Sequence, residues 1–126
     1  MQGVAKTAAT LACALLALGS GIGAVCAADG ADVFNNNCAV CHSTEPGTNK
    51  LGPSLAGVVG RKSASLQDYS YSPAMAKLNA TWDKATLDKY LTDPQGMVPG
   101  TKMIFPGVKD EADRKAVIDY LATLQG

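Results

Sequence analysis

The chain has 126 residues, and its 11 lysines and arginines balance 11 aspartates and glutamates, so the formal net charge is zero at pH 7. That balance excludes a strongly basic nucleic-acid binder, and the length allows one domain. Any docking guided by charge must therefore depend on local asymmetry.

The N-terminal stretch is typical of a secretory signal peptide. Residues 7–28 contain no charged residue, follow a single lysine and end in small residues that suit signal-peptidase cleavage. We expect residues 1–28 to be a cleaved signal peptide, residues 29–126 to be the mature domain, and the protein to be exported to the periplasm. The alternative is an uncleaved anchor, because about 20 apolar residues can span a bilayer.

Asp29 can cap the first helix, which we predict from Gly30 or Ala31 to Cys41 with an apolar face that includes Val33 and Phe34. No run of residues alternates as a strand does. The pattern of short helical segments between loops therefore predicts an all-α domain.

The end of that first helix has the spacing Cys38-x-x-Cys41-His42, which is the pattern of a c-type haem attachment site. Each thiol can add across a haem vinyl group, and His42, the only histidine, can bind the iron as an axial ligand. Two alternatives are half of a zinc site, which needs four ligands, and a thioredoxin-like dithiol, which belongs at the end of a strand. We expect one covalently attached haem c.

A long loop with several glycines and prolines follows, over residues 43–71. A loop of this length is unusual in a compact domain and makes sense if it wraps a cofactor. Ser72 followed by Pro73 then predicts the start of a short helix.

Thr81 or Asp83 can open a further helix, which must end before Pro94 because the residue before a proline disfavours the helical region. Its apolar stripe comprises Leu87, Tyr90 and Leu91. We predict a loop over residues 94–106.

The last helix begins at Asp110, with Asp113 three residues later in the manner of a capping box. Its predicted apolar face comprises Ala116, Val117, Tyr120, Leu121 and Leu124.

Haem iron in an electron carrier needs a second axial ligand, and a methionine thioether favours ferrous iron and raises the reduction potential. Met75, Met97 and Met103 are the candidates in the mature chain. Spacing alone does not choose among them, and a methionine can equally fill a gap in the core.

Several short motifs run in a fixed order through residues 30–124. They are Leu51-Gly52-Pro53-Ser54-Leu55, Gly57-Val58-Val59-Gly60-Arg61-Lys62, Tyr69-Ser70-Tyr71, Thr81-Trp82, Thr86-Leu87, Tyr90-Leu91, Pro99-Gly100-Thr101-Lys102-Met103-Ile104-Phe105 and Ile118-Asp119-Tyr120-Leu121. In order and spacing they resemble the class I cytochromes c, the mitochondrial cytochrome c and bacterial cytochrome c2 type. The resemblance implies a small cytochrome c fold, with three to five short helices and long loops around one haem.

The resemblance also implies roles for individual residues. Cys38 and Cys41 would carry the thioether bonds. His42 would be the proximal iron ligand and Met103 the distal one. Pro53 would offer its carbonyl to the far nitrogen of the histidine ring.

A second group of residues would surround the haem. The resemblance places Arg61, Tyr71 and Trp82 around the haem propionates, which are costly to bury unpaired. It places Tyr90 and Thr101 in a polar shell near the distal methionine.

The function that this resemblance implies is a soluble one-electron carrier and not an enzyme. We expect transient redox partners, with a quinol-oxidising complex or a dehydrogenase as donor and an oxidase, a photosynthetic reaction centre or a peroxidase as acceptor. We expect a monomer that binds no nucleic acid and meets membranes only through its partners. The rivals are a haem protein with an open iron that binds ligands or reacts with peroxide, and a membrane-tethered subunit.

Overall fold

The computed structural model describes residues 28–126, and the predicted signal peptide falls on residues outside that range, apart from Ala28. The helices of the described part are α1 (Gly30–Asn37), α2 (Pro73–Leu78), α3 (Lys84–Thr92), α4 (Pro94–Met97) and α5 (Glu111–Leu121). Over the same residues there is no strand, only an isolated antiparallel bridge between Lys62 and Thr81. The predicted all-α class is confirmed.

None of the helices in residues 28–126 has the length and apolar character needed to cross a membrane.

Every helix starts at a side chain that accepts a hydrogen bond from a backbone amide of its first turn, which satisfies a group with no helical partner. The caps are Asp29, Ser72, Asp83, Asp93 and Asp110. The predicted starts at Asp29, Ser72 and Asp110 are therefore confirmed, and of the two alternatives for α3 the structure has Asp83.

Two boundaries differ from the prediction. Helix α1 ends at Asn37, not at Cys41, because the amides of Cys38 and Ala39 both donate to the carbonyl of Phe34, and the regular helical pattern stops there. The predicted loop over 94–106 begins with the one-turn helix α4. Its signal was Asp93 followed by Pro94, a capping carboxylate before a proline that is preorganised for the first helical position.

We define the helical framework as α1, α3 and α5. Helix α5 packs against both α1 and α3. Gly30 lets α1 approach closely, since a Cβ atom there would overlap the carbonyl of Ala116. One turn later the rings of Phe34 and Tyr120 lie 5.5 Å apart.

The face of α5 that packs inward is broader than predicted. Val117 and Leu121 are buried as expected, whereas Tyr120 is only partly buried. Arg114 and Ile118 are buried as well, so the helix turns a charged side chain toward the core.

Two further segments, residues 38–72 and 98–109, lack α-helix, and we call them the crevice loops. Together with residues of the helical framework and of α2 they line a cavity.

Candidate haem-binding site

A cavity of about 450 Å³ lies between the helical framework and the crevice loops. This volume falls in the range of cofactor and ligand sites. Every site residue predicted from the sequence lines it, namely Cys38, Cys41, His42, Pro53, Arg61, Tyr71, Trp82, Tyr90, Thr101 and Met103. Residues that are distant in the chain therefore meet around one space.

The two cysteines lie in the turn that follows α1. The backbone amides of Cys41 and His42 both donate to the carbonyl of Cys38, at 3.0 and 2.8 Å, and this tight turn brings the three side chains to one wall of the cavity. Burial, and to a lesser degree the neighbouring Cys41, raises the pKa of the Cys38 thiol to about 11. No disulfide joins the two sulfur atoms.

The zinc alternative finds no support in the geometry. Within residues 28–126 no cluster of three or more His, Cys, Asp and Glu side chains is arranged to hold a metal ion. A structural zinc site needs four ligands, so the described residues do not form one.

The His42 ring is oriented by a single strong contact. Its Nδ1 donates to the carbonyl of Pro53 at 2.7 Å, which leaves the lone pair on Nε2 free for a metal. Gly52 makes this orientation possible, because a Cβ atom there would overlap the ring. Burial lowers the pKa of His42, with a smaller lowering from Lys50 and Arg61, while the Pro53 bond opposes them.

On another part of the wall, the side chain of Met103 is held through its sulfur. The hydroxyl of Tyr90 donates to Sδ of Met103 at 3.3 Å, and the backbone amide of Met103 donates to Oγ1 of Thr101 at 3.2 Å. Of the other two candidate methionines, Met75 also lines the cavity, whereas Met97 does not.

The guanidinium of Arg61 is the clearest sign of an anionic group in this cavity. Its Nη1 and Nη2 donate to the carbonyls of Ala56 and Ser54, both at 3.0 Å, but its Nε is buried without a partner. A buried donor without a partner is costly. A carboxylate that enters the cavity beside Tyr71 would satisfy it, and the haem propionates supply such groups.

Trp82 is placed by the chain that carries Arg61. The backbone amide of Trp82 donates to the carbonyl of Arg61 at 2.8 Å, and the amide of Gly60 donates to the carbonyl of Trp82 at the same distance. The indole is buried, with its ring centre 4.9 Å from that of Tyr90. The donor set, the apolar lining and the unpaired guanidinium nitrogen together fit a haem.

Hydrogen bonds from three side chains of the crevice loops were not predicted from the sequence. The Tyr69 hydroxyl donates to the carbonyl of Leu51 at 2.8 Å, and Lys102 Nζ donates to the carbonyl of Ser70 at 2.7 Å. Asn49 joins the same loops, because it accepts from the amide of Ser54 and donates to the carbonyl of Asp68. The motif Tyr69-Ser70-Tyr71 could have indicated the hydrogen bond from Tyr69. The hydrogen bonds of Asn49 depend on how two parts of the loop meet.

The rim of the cavity combines exposed apolar side chains with lysines. Val40, Leu51 and Ile104 line the cavity and are 75%, 80% and 84% exposed. Lys50 and Lys102 also lie in the crevice loops, and neither takes part in the ion pairs found within residues 28–126. Those ion pairs all belong to α3 and α5.

Comparisons with known proteins agree with this geometry. A family model described as Cytochrome c matches residues 27–125. The chain is 54% identical over 87 residues to cytochrome c2 iso-2 of Magnetospirillum fulvum, across 69% of this chain and 91% of that protein. It is 44% identical over 93 residues to cytochrome c of Kluyveromyces lactis, across 73% and 84%.

A solved structure shows the same architecture. Cytochrome cH from Methylobacterium extorquens aligns with a TM-score of 0.70 and 43% identity, and the alignment covers 75% of this chain and 94% of that one.

Proposed function

Because the chain belongs to the class I cytochrome c family, we propose that it is a periplasmic one-electron carrier whose haem iron is ligated by His42 and Met103. Membership makes the protein a cytochrome c2-like electron carrier with a covalently attached haem c, and not an enzyme. The axial ligands, the compartment and the partners are the proposed part.

The observation that carries the ligand assignment is that a hydrogen bond orients the side chain of each proposed ligand, His42 and Met103. Pro53 binds the Nδ1 of His42, and Tyr90 binds the sulfur of Met103. Each contact restrains a side chain that lines the cavity. Such restraint lowers the structural rearrangement that a change of iron oxidation state would otherwise require.

When bound, the haem supplies a reversible one-electron couple. Cys38 and Cys41 hold it through thioether bonds in this proposal. Arg61, Tyr71 and Trp82 would surround its propionates. Tyr90 and Thr101 would form the polar surroundings of Met103.

Addition of carbon monoxide to the reduced protein tests the proposed ligation. With both axial positions filled, we expect the ferrous spectrum to stay unchanged, and Met103→Ala to bind carbon monoxide. Met97→Ala is the matched control, since Met97 does not line the cavity. Rapid binding by the unmodified protein would overturn the carrier assignment in favour of an open-iron protein.

Met75→Leu completes the test of the sulfur ligand. Met75 is buried and shares the cavity wall with Met103. If Met75→Leu opens the iron to carbon monoxide and Met103→Ala does not, the distal ligand is Met75.

The rim supports a proposal for the redox partners. Exposed Val40, Leu51 and Ile104 can form a small apolar contact, and Lys50 and Lys102 can attract an acidic partner. Such an interface is typical of weak, short-lived electron-transfer complexes. We propose a quinol-oxidising complex or a dehydrogenase as donor and an oxidase, reaction centre or peroxidase as acceptor. The rate with an acidic redox protein should fall as ionic strength rises.

The proposed export follows from residues 1–28, which have the character of a signal peptide. Cleavage after Ala28 would leave residues 29–126 as the mature domain. The intact mass of the purified protein should equal that domain plus one haem. A mass that includes residues 1–28 would instead support a membrane-tethered subunit.

A further inference from the structure

A buried arginine holds the chain segment that follows Met103, and none of the roles above uses it. Arg114 lies in α5 and is 8% exposed. Its Nε donates to Oδ1 of Asp88 in α3 at 2.7 Å. Its Nη1 donates to the carbonyls of Val108 and Lys109, at 3.0 and 3.3 Å. One guanidinium therefore joins α3, α5 and the end of the crevice loop that carries Met103.

Two more contacts fix the same end of the loop to α3. The backbone amide of Val108 donates to the carbonyl of Leu91 at 2.7 Å, and Lys109 Nζ donates to the carbonyl of Thr92 at 2.6 Å. Both acceptors belong to the last turn of α3, where carbonyls have no partner within the helix. Val108 and Lys109, which we call the loop exit, are thus attached both to α3 and to Arg114.

Between Met103 and this exit the chain is held by packing, such as that of the partly buried Phe105, and not by hydrogen bonds. Among the hydrogen bonds recorded within residues 28–126, none involves the backbone of residues 104–107. Ile104 is 84% exposed, so it contributes little packing. Met103 therefore depends on α3 at two places, the hydroxyl of Tyr90 and the clamped exit at Val108.

We propose that Arg114 is a positioning residue for Met103, and that its clamp on the loop exit limits how often the loop leaves the cavity. The inference rests on the proposed ligation by His42 and Met103. A planar guanidinium can reach Asp88 and two carbonyls at once, whereas a lysine ammonium presents no such fork. Loops of this kind open locally at a lower free energy than the whole domain unfolds.

Added imidazole measures that local opening in the ferric holoprotein. It can occupy the iron only when Met103 has left, so its apparent dissociation constant rises in proportion as the open fraction falls. We expect Arg114→Lys to bind imidazole about tenfold more tightly, because hydrogen bonds from a charged donor are lost. Lys115→Ala is the control, since this neighbouring side chain is 77% exposed and should leave the affinity unchanged.

The unfolding midpoint in urea separates positioning from general stability. A purely structural arginine would lower the midpoint and leave imidazole binding as it is in the unmodified protein, which would overturn the proposal. If Arg114→Lys does not fold, Asp88→Ala replaces it, because the Asp88 side chain is 49% exposed. We expect that variant to bind imidazole about threefold more tightly, and an unchanged affinity contradicts the clamp.

Met103→Ala distinguishes failure of the clamp from failure of the proposed ligation. If Met103→Ala binds imidazole much more tightly and Arg114→Lys does not, only the role of Arg114 is wrong. If Met103→Ala itself changes nothing, Met103 is not the ligand and both proposals fall.

Discussion

The helical framework and the crevice loops are held together by different kinds of contact. The framework has capped helices, a close crossing of α1 and α5 at Gly30, and all of the ion pairs found within residues 28–126. The crevice loops have no ion pair within residues 28–126 and are joined by hydrogen bonds, some of them from single side chains that reach backbone carbonyls, such as Tyr69 to Leu51 and Lys102 to Ser70. Much of their apolar surface faces the cavity. We therefore expect the loops to depend more than the framework on the group that fills the cavity.

Loss of the haem should produce the largest difference in local stability between the helical framework and the crevice loops. Cys38→Ser combined with Cys41→Ser removes both covalent bonds, so the haem can be extracted. The apolar side chains that line the cavity would then lose their packing partner and meet water, which is destabilising. We expect amides of the crevice loops to lose protection from hydrogen exchange, while α1 and α5 keep some.

The same double variant before extraction is the control for that experiment, because it differs only in the presence of haem. Equal loss of protection in the loops and in α1 and α5 would show that the two regions fold as one unit.

The two regions also differ in what the sequence could predict. Helix starts depend on one local bond, so Asp29, Ser72 and Asp110 could be predicted as caps from the sequence. The predicted end of α1 was wrong because the backbone turns at Cys38 and Ala39, and α4 was missed although Asp93 and Pro94 signal it.

In the crevice, the motifs that resemble class I cytochromes c named residues that do line one cavity, including Arg61 and Tyr90. Their chemical roles remain predictions. The hydrogen bonds of Asn49 and the clamp of Arg114 had no signal in the sequence, because each depends on how separate segments of the folded chain meet. Local chemistry was therefore predictable, whereas contacts between segments were predictable only where a family motif implied them, as for His42 with Pro53 and Tyr90 with Met103.

Removal of a single hydroxyl that faces the cavity should change the reduction potential and have little effect on the stability of the helical framework. Tyr90→Phe removes the donor to the sulfur of Met103. That donor draws electron density from the sulfur, so its loss should favour ferric iron and lower the reduction potential. A net hydrogen-bond contribution of about 0.5–1.5 kcal/mol corresponds to about 20–60 mV for one electron. Redox titration measures this change in reduction potential.

Tyr120→Phe is the matched control in the helical framework. Tyr120 packs on Phe34, and its hydroxyl makes none of the side-chain hydrogen bonds recorded within residues 28–126. We expect its potential to equal that of the unmodified protein. A rise in Tyr90→Phe, or an equal fall in both variants, would contradict the role given to the Tyr90 hydroxyl.

The smallest expected effect is on the free energy of unfolding, when acid protonates an aspartate in the ion pairs of the helical framework. Hydrogen bonds from Lys84 and Lys115 lower the pKa of Asp119, so its charged form stabilises the fold. This contribution is complete above the pKa of an unfolded aspartate, near 4, and is lost as the pH falls through the lower pKa of the folded state. Asp119→Asn should therefore unfold at lower urea than the unmodified protein at pH 7. The difference should vanish in strong acid.

Asp68→Asn gives the comparison for the crevice loops. Asp68 is exposed and takes part in no ion pair of the described chain, so its replacement should leave the urea midpoint at pH 7 unchanged. High salt should also weaken the effect at Asp119, because exposed pairs are screened. Similar shifts in both variants would mean that overall charge, and not the pairing of Asp119 between α3 and α5, accounts for the dependence on pH.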